Sequence, residues 1–190
     1  MLFRSLRQRS LAHFSTSPRD EVLKWAKDLC LSKRYQDHKV ILLTHTFLCE
    51  TSAQRTDKEG YKIKSQNWGQ QMWDKLVYDC PNIRLVICGH TGHPDKEHPG
   101  SSQDFINNTA FRVDKNAAGK DVYQFMWNIQ CLGGGWEGNG GDGWMRILEF
   151  LPDGKTIKAS TYSILFGISP VTKHLAHQTD KCCQFDMVID

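Results

Sequence analysis

The stretch Asn82 to His93, NIRLVICGHTGH, decides how the fold is read. Leu85, Val86, Ile87 and Cys88 form an apolar run without a charge, the pattern of a strand buried on both faces. The run stops at Gly89-His90, where the glycine is expected to take the sharp turn. The imidazole of His90 then stands at the C-terminal edge of the strand, where open α/β sheets place ligands and chemistry. Val40, Ile41, Leu42 and Leu43 repeat the design and stop at Thr44-His45. A segment of helical period lies between the two runs. They therefore read as successive β-α units, and parallel neighbouring strands would bring both imidazoles to one rim.

Bulk composition narrows the class. At 190 residues the chain can bury one core, two at most, and 39% hydrophobic with 24% charged residues is the balance of a soluble globular protein of no particular compartment. A net charge of +3, with no basic stripe interleaved with aromatics, argues against nucleic acid as partner. No apolar run approaches the roughly 18 residues of a membrane span. The seven cysteines include no Cys-x-x-Cys spacing, so most are expected to be small buried apolar residues; Cys182 and Cys183 are too close in sequence to pair readily with each other.

Residues 1–17 read as an irregular N-terminus, with Arg4, Arg7 and Arg9 among serines and no acid before Asp20. That composition fits a transit peptide and fits equally a truncated or mis-started frame. Pro18 to Leu31 predicts a helix, with Ser17 as N-cap, Pro18, Asp20 and Glu21 in the first turn, and Val22, Leu23, Trp25, Ala26, Leu29 and Cys30 on its apolar face. Phe47 to Ser65 is a polar loop of the length of a lid or specificity loop, its charges, Arg55 among them, expected in solvent. Asn67 to Asp79 returns to helical period around Trp68, Met72, Trp73, Leu76 and Val77. Asn67 and Trp68, at its start, are candidates to border a site, with core packing the plainer role. Pro94 to Lys120 reads as a second long loop.

From Asp121 the period changes to two. Val122–Gln130, Trp144–Leu151 and Ile157–Ser163 predict strands, the last two joined by the turn Pro152-Asp153-Gly154. The glycine-rich run between the first two, Gly133 to Gly143, lacks the Lys-Ser/Thr ending of a phosphate cradle and opens no helix, so it is a flexible loop. After Ser163 the chain reads as irregular until a final strand at Gln184–Ile189.

Thr44-His45, Gly89-His90 in the context NWGQQMWDKLVYDCPNIRLVICGHTG, and the later run YQFMWNIQCLGGGWEGNGGDGWMRILEFLPDGKTIKASTYS together resemble the C-terminal part of a calcineurin-like metallophosphoesterase of the bacterial-type branch. The resemblance covers Ser17 to the C-terminus. It implies an α/β fold, a partial calcineurin-like metallophosphoesterase β-sandwich with flanking helices and a β-rich C-terminal half, as one partial domain over 18–190. It begins in mid-fold, so truncation is the favoured account of residues 1–17.

The resemblance also implies chemistry. A phosphate ester is a poor electrophile ringed by negative oxygens, and two divalent metals help by generating hydroxide and neutralising charge. His45 and His90 would ligate one ion of the pair (Mn, Fe or Zn), with an asparagine and a bridging aspartate from upstream. The family's upstream Asp-x-His, Gly-Asp-x-x-Asp and Gly-Asn-His-Asp/Glu motifs are absent here, and Asp142, with Met145 three residues on, does not rebuild the second. In the family's Gly-His-x-His ending Gly92 holds the second histidine's place; His93, one residue late, substitutes only if the turn bulges.

The expected function is metal-dependent hydrolysis of phosphate esters, weak or inactive in this chain alone. A bare sheet face is expected to need a dimer partner or a missing N-terminal half. The alternative is a non-catalytic, β-rich carbohydrate-binding module with Trp136 and Trp144 as sugar platforms. A structural zinc protein fits poorly, because the His and Cys spacings are irregular. His98, His174 and His177 read as structural residues, and His13 and His38 as surface or loop residues.

Overall fold

A computed structural model describes residues 2–6, 9–14, 16–58, 67–132 and 140–189. The fold is mixed α/β with two sheets and few helices. The chain divides into two compact units, Met1–His90 with Phe111–Met126, and Thr91–Ala110 with Trp127–Asp190.

In the first unit both apolar runs are strands, β3 (Lys39–Leu43) and β4 (Ile83–Cys88), paired in parallel. Val40, Leu42, Leu85 and Val86 are completely buried, each worth about 1.5–3 kcal/mol of burial. The first 17 residues differ from the expected irregular segment. β1 (Leu2–Leu6) and β2 (Arg9–His13) form an antiparallel pair, and β2 runs parallel to β3. Arginine- and serine-rich composition conceals an alternation in which Ser10 and Ala12 face the core. With β5 (Thr109–Lys115) and β6 (Asp121–Trp127) the six-stranded sheet has the order β1-β2-β3-β4-β6-β5. The face opposite Ala12, Val40 and Leu42 carries Leu11, Ile41, Leu43 and Ile87, all half-buried.

Helix α1 (Asp20–Cys30) begins later than predicted. Its first free amide acceptor is Arg19 O, not the Ser17 side chain, because Pro18 O is already taken by Asn67 Nδ2 at 2.8 Å. Leu23, Ala26 and Cys30 make the buried stripe; Trp25, half a turn away, is exposed. The second predicted helix is α2 (Gly69–Met72), which widens into a π-helical turn, Trp73–Val77. Gln71 Oε1 reaches back to accept the Trp68 N–H at 2.9 Å, and Trp68, Met72, Trp73, Leu76 and Val77 are buried as the period requires.

The segment Pro94 to Lys120 is not one loop. It holds α3 (Ser102–Asn107), capped by the Ser101 hydroxyl on Asp104 N, and then β5. A helix of two turns with one large buried residue, Phe105, is too short to show a period. The second sheet, in the other unit, is antiparallel: β10 (Phe185–Val188), β8 (Thr156–Ser163) and β7 (Trp144–Phe150), with β9 (His177–Gln178) also on β8. The run after Ser163, expected to be irregular, contains α4 (Ile164–Gly167), capped by Ser163, and the short β9. Trp136 and residues 133–139 of the glycine-rich run, like 59–66 of the first polar loop, lie outside the described residues. Among the described residues no helix is long and apolar enough to cross a membrane.

The predicted β7–β8 hairpin turn is built by Asp153. Its carboxylate accepts from Thr156 Oγ1 at 2.6 Å and from the amides of Lys155 and Thr156 at 2.8 Å. These donors, the Thr156 side chain foremost, hold its pKa at about 2, against an ordinary 3.8. A depressed folded-state pKa contributes stability that is complete above 3.8 and lost as pH falls towards 2. Asp153→Asn should flatten the fall of the urea midpoint across that window; an unchanged slope would remove Asp153 from the acid response.

Candidate metal centre

The β3–β4 ladder continues past both strands. Thr44 N donates to Ile87 O at 3.0 Å and Gly89 N to His45 O at 3.0 Å. His45 and His90 are thereby carried on neighbouring backbones, and their ring centroids lie 4.4 Å apart with a 43° tilt. His45 is exposed and His90 half-buried. The left-handed turn expected at Gly89 falls on His90 itself, at φ 76°. A non-glycine residue held there costs about 1–3 kcal/mol, the kind of strain that gathers at functional sites.

The chain leaving His45 is fastened down. Thr44 and Thr46 are buried, Leu48 N donates to Cys88 Sγ at 3.3 Å, and Thr56 accepts Gly69 N on its hydroxyl and Gln70 N on its carbonyl, both at 2.9 Å. Arg55, expected in solvent, is the main anchor. Its guanidinium lies 3.6 Å over the Trp73 ring, donates to Asp114 Oδ2 at 2.6 Å and reaches Gln124 Oε1 at 3.1 Å. Burial pulls its pKa down to about 10. Arg112 forks onto the same Asp114 at 2.6 and 2.9 Å and donates to Ala53 O at 3.0 Å. Asp114, hydrogen-bonded foremost by Arg112, is held below the usual carboxylate range. Residues 47–58 are thus clamped to the sheet and are not a lid. No sequence signal separates Arg55 from its exposed neighbours, since its partners lie 59 and 69 residues away.

The other candidates are placed differently. Asn67 is buried with both ends of its amide engaged: Nδ2 donates to Pro18 O and Asp20 Oδ1 at 2.8 Å, and Oδ1 accepts from Lys75 Nζ at 2.7 Å. It is a strut between α1 and the following helix. His93 belongs to the second unit, is exposed, and its carbonyl accepts from Asn108 Nδ2 at 3.0 Å. Gly92 has φ 145°, and a Cβ there would collide with Asn108 Oδ1. A histidine in the place the resemblance gives it has no room. Trp144, a candidate sugar platform, packs edge-on against Phe105 at 5.2 Å and Phe166 at 5.7 Å. All seven cysteines are free thiols.

Two imidazoles held this close fit one divalent cation as a partial ligand set. Among the described residues no group of three or more His, Cys, Asp or Glu side chains gathers to hold a metal. Compared with family models and with curated proteins, the chain matches none.

Gly92→Ala should destabilise the chain by about 2–4 kcal/mol, from the backbone conformation and the collision with Asn108 together, read as a drop in urea midpoint. A variant as stable as the parent would show that the space beside Asn108 is open.

Proposed function

We propose that this chain carries the two-histidine half of a calcineurin-like metallophosphoesterase centre, within a partial sandwich of that family. The single observation behind the reading is the pair His45 and His90, 4.4 Å apart on the ends of adjacent parallel strands. A divalent cation (Mn, Fe or Zn) would supply Lewis acidity towards a phosphate mono- or diester. His45 and His90 would hold it through neutral ring nitrogens. The strained backbone of His90 and the shared ladder would fix the angle between the two rings. The Arg55–Asp114–Arg112 cluster would keep the segment after His45 from moving as the ester enters.

A bridging carboxylate and a proton donor have no counterpart in the cluster, so in this reading they come from elsewhere. A second copy of the chain or a carboxylate-bearing N-terminal half would seat on the face of Leu11, Ile41, Leu43 and Ile87. Alone, the chain is expected to hydrolyse phosphate esters weakly or not at all.

Metal content after gentle purification tests the pair. His45→Ala and His90→Ala should each retain at least about tenfold less manganese or zinc than the parent. Retention unchanged in both variants removes the reading. With added manganese, an aryl phosphate should turn over barely above background; robust turnover by the chain alone would show that it supplies its own carboxylate.

A further inference from the structure

Cys182 and Cys183 lie in the second unit, away from the segment that carries His45 and His90 in sequence. Side chains of adjacent residues usually diverge, yet these two sulfurs converge to 3.6 Å. The peptide between them is held from both sides. Arg146 Nη2 donates to Cys182 O at 2.8 Å, and Cys183 N donates to Asp180 O at 2.7 Å. Thr161 Oγ1 holds the next carbonyl, Cys183 O, at 2.7 Å. A disulfide would need the sulfurs at about 2.05 Å, and so would need this pinned peptide to turn. Two thiolates about 2.3 Å from one ion, at an angle of about 103°, sit 3.6 Å apart without any movement.

The surroundings favour thiolate. The Arg146 guanidinium is buried, stacked 4.1 Å over Trp127 and 5.0 Å from Phe185. Burial lowers its pKa to about 10, and the opposing charges are those of Cys183 and Cys182. The hydrogen bond from Cys183, with smaller help from Thr109 and Arg146, draws the Cys182 thiol down to about 7, while Cys183 is pushed up. Cys182 is partly exposed, which gives an ion access; Cys183 is fully buried.

We propose that Cys182 and Cys183 form a bidentate thiolate site for a soft, thiophilic ion of the class of zinc, cadmium or trivalent arsenic. Binding displaces the two thiol protons to solvent and forms two sulfur–ion bonds, with no change of oxidation state. The remaining coordination positions are left to water or to an exogenous ligand.

Phenylarsine oxide, which condenses with two neighbouring thiols and loses water, is the probe. The reduced full chain should take up one equivalent, read by intact-protein mass. Cys182→Ser should lower the affinity by about 10²-fold, because the remaining thiol binds alone. Cys30 and Cys80, a second hydrogen-bonded thiol pair that is fully buried, provide the control: Cys30→Ser should leave the adduct in place. A cadmium titration on a His45→Ala, His90→Ala background should still show the thiolate-to-cadmium absorption band, and so reads this site independently of the histidine pair. An adduct that survives Cys182→Ser, or that follows Cys30, overturns the proposal. So does ready formation of a Cys182–Cys183 disulfide in air.

Discussion

The parallel pairing of β3 with β4 is the constraint on which the rest depends. Parallel hydrogen bonds place the C-terminal ends of both strands at one rim, and here they run on through Thr44 and Gly89. The meeting of the two imidazoles is therefore a property of the backbone rather than of flexible side chains. The backbone shifts register between Val40 and Ile41, so Val40 faces Ile83 while Ile41 faces Leu85. That irregularity lies at the far end of the ladder, four residues before His45, and the pairing from Ile41 onward is even. The buried residues Val40, Leu42, Leu85 and Val86 hold the ladder by burial alone, the least directional of the available forces.

Around this rim the molecule uses polar contacts to limit motion. One carboxylate, Asp114, receives two guanidinium groups, and Gln124 Nε2 donates to it as well at 2.8 Å. A buried cluster of this kind is costly to assemble and more costly to break, because removing the acid strands two cations. It buys a fixed course for residues 47–58. On α1 the comparable strut is Asn67, joined to Asp20 and Lys75, and Lys75 is what chiefly keeps the Asp20 carboxyl below its ordinary range.

Much of the fold was legible because burial imposes a period. The runs at Val40 and Leu85, the stripe Leu23-Ala26-Cys30, the Met72-Leu76 face and the Asp-Gly hairpin all follow from spacing or turn chemistry. The strands at 2–6 and 9–13 were not legible, since charge and serine content outweighed a five-residue alternation. Helix α3 was hidden because it depends on contacts distant in sequence: Asp104, fully buried, accepts the amides of Asp95 and Gly100. At the candidate site the two histidines could be read and their supports could not. The burial of Arg55 needs Trp73, Asp114 and Gln124, three elements that only the folded chain brings together.

The π-helical turn Trp73–Val77 has a consequence for how this chain tolerates change in length. A π turn accommodates one residue more than an α-helix over the same rise. Delete that surplus residue and the helix would close into regular hydrogen bonding, but everything beyond it would rotate by about 100°. Trp73 would keep its place beneath Arg55 while Leu76 and Val77 swung off the core. The widened turn thus works as a vernier between a fixed ring at one end and a fixed apolar face at the other.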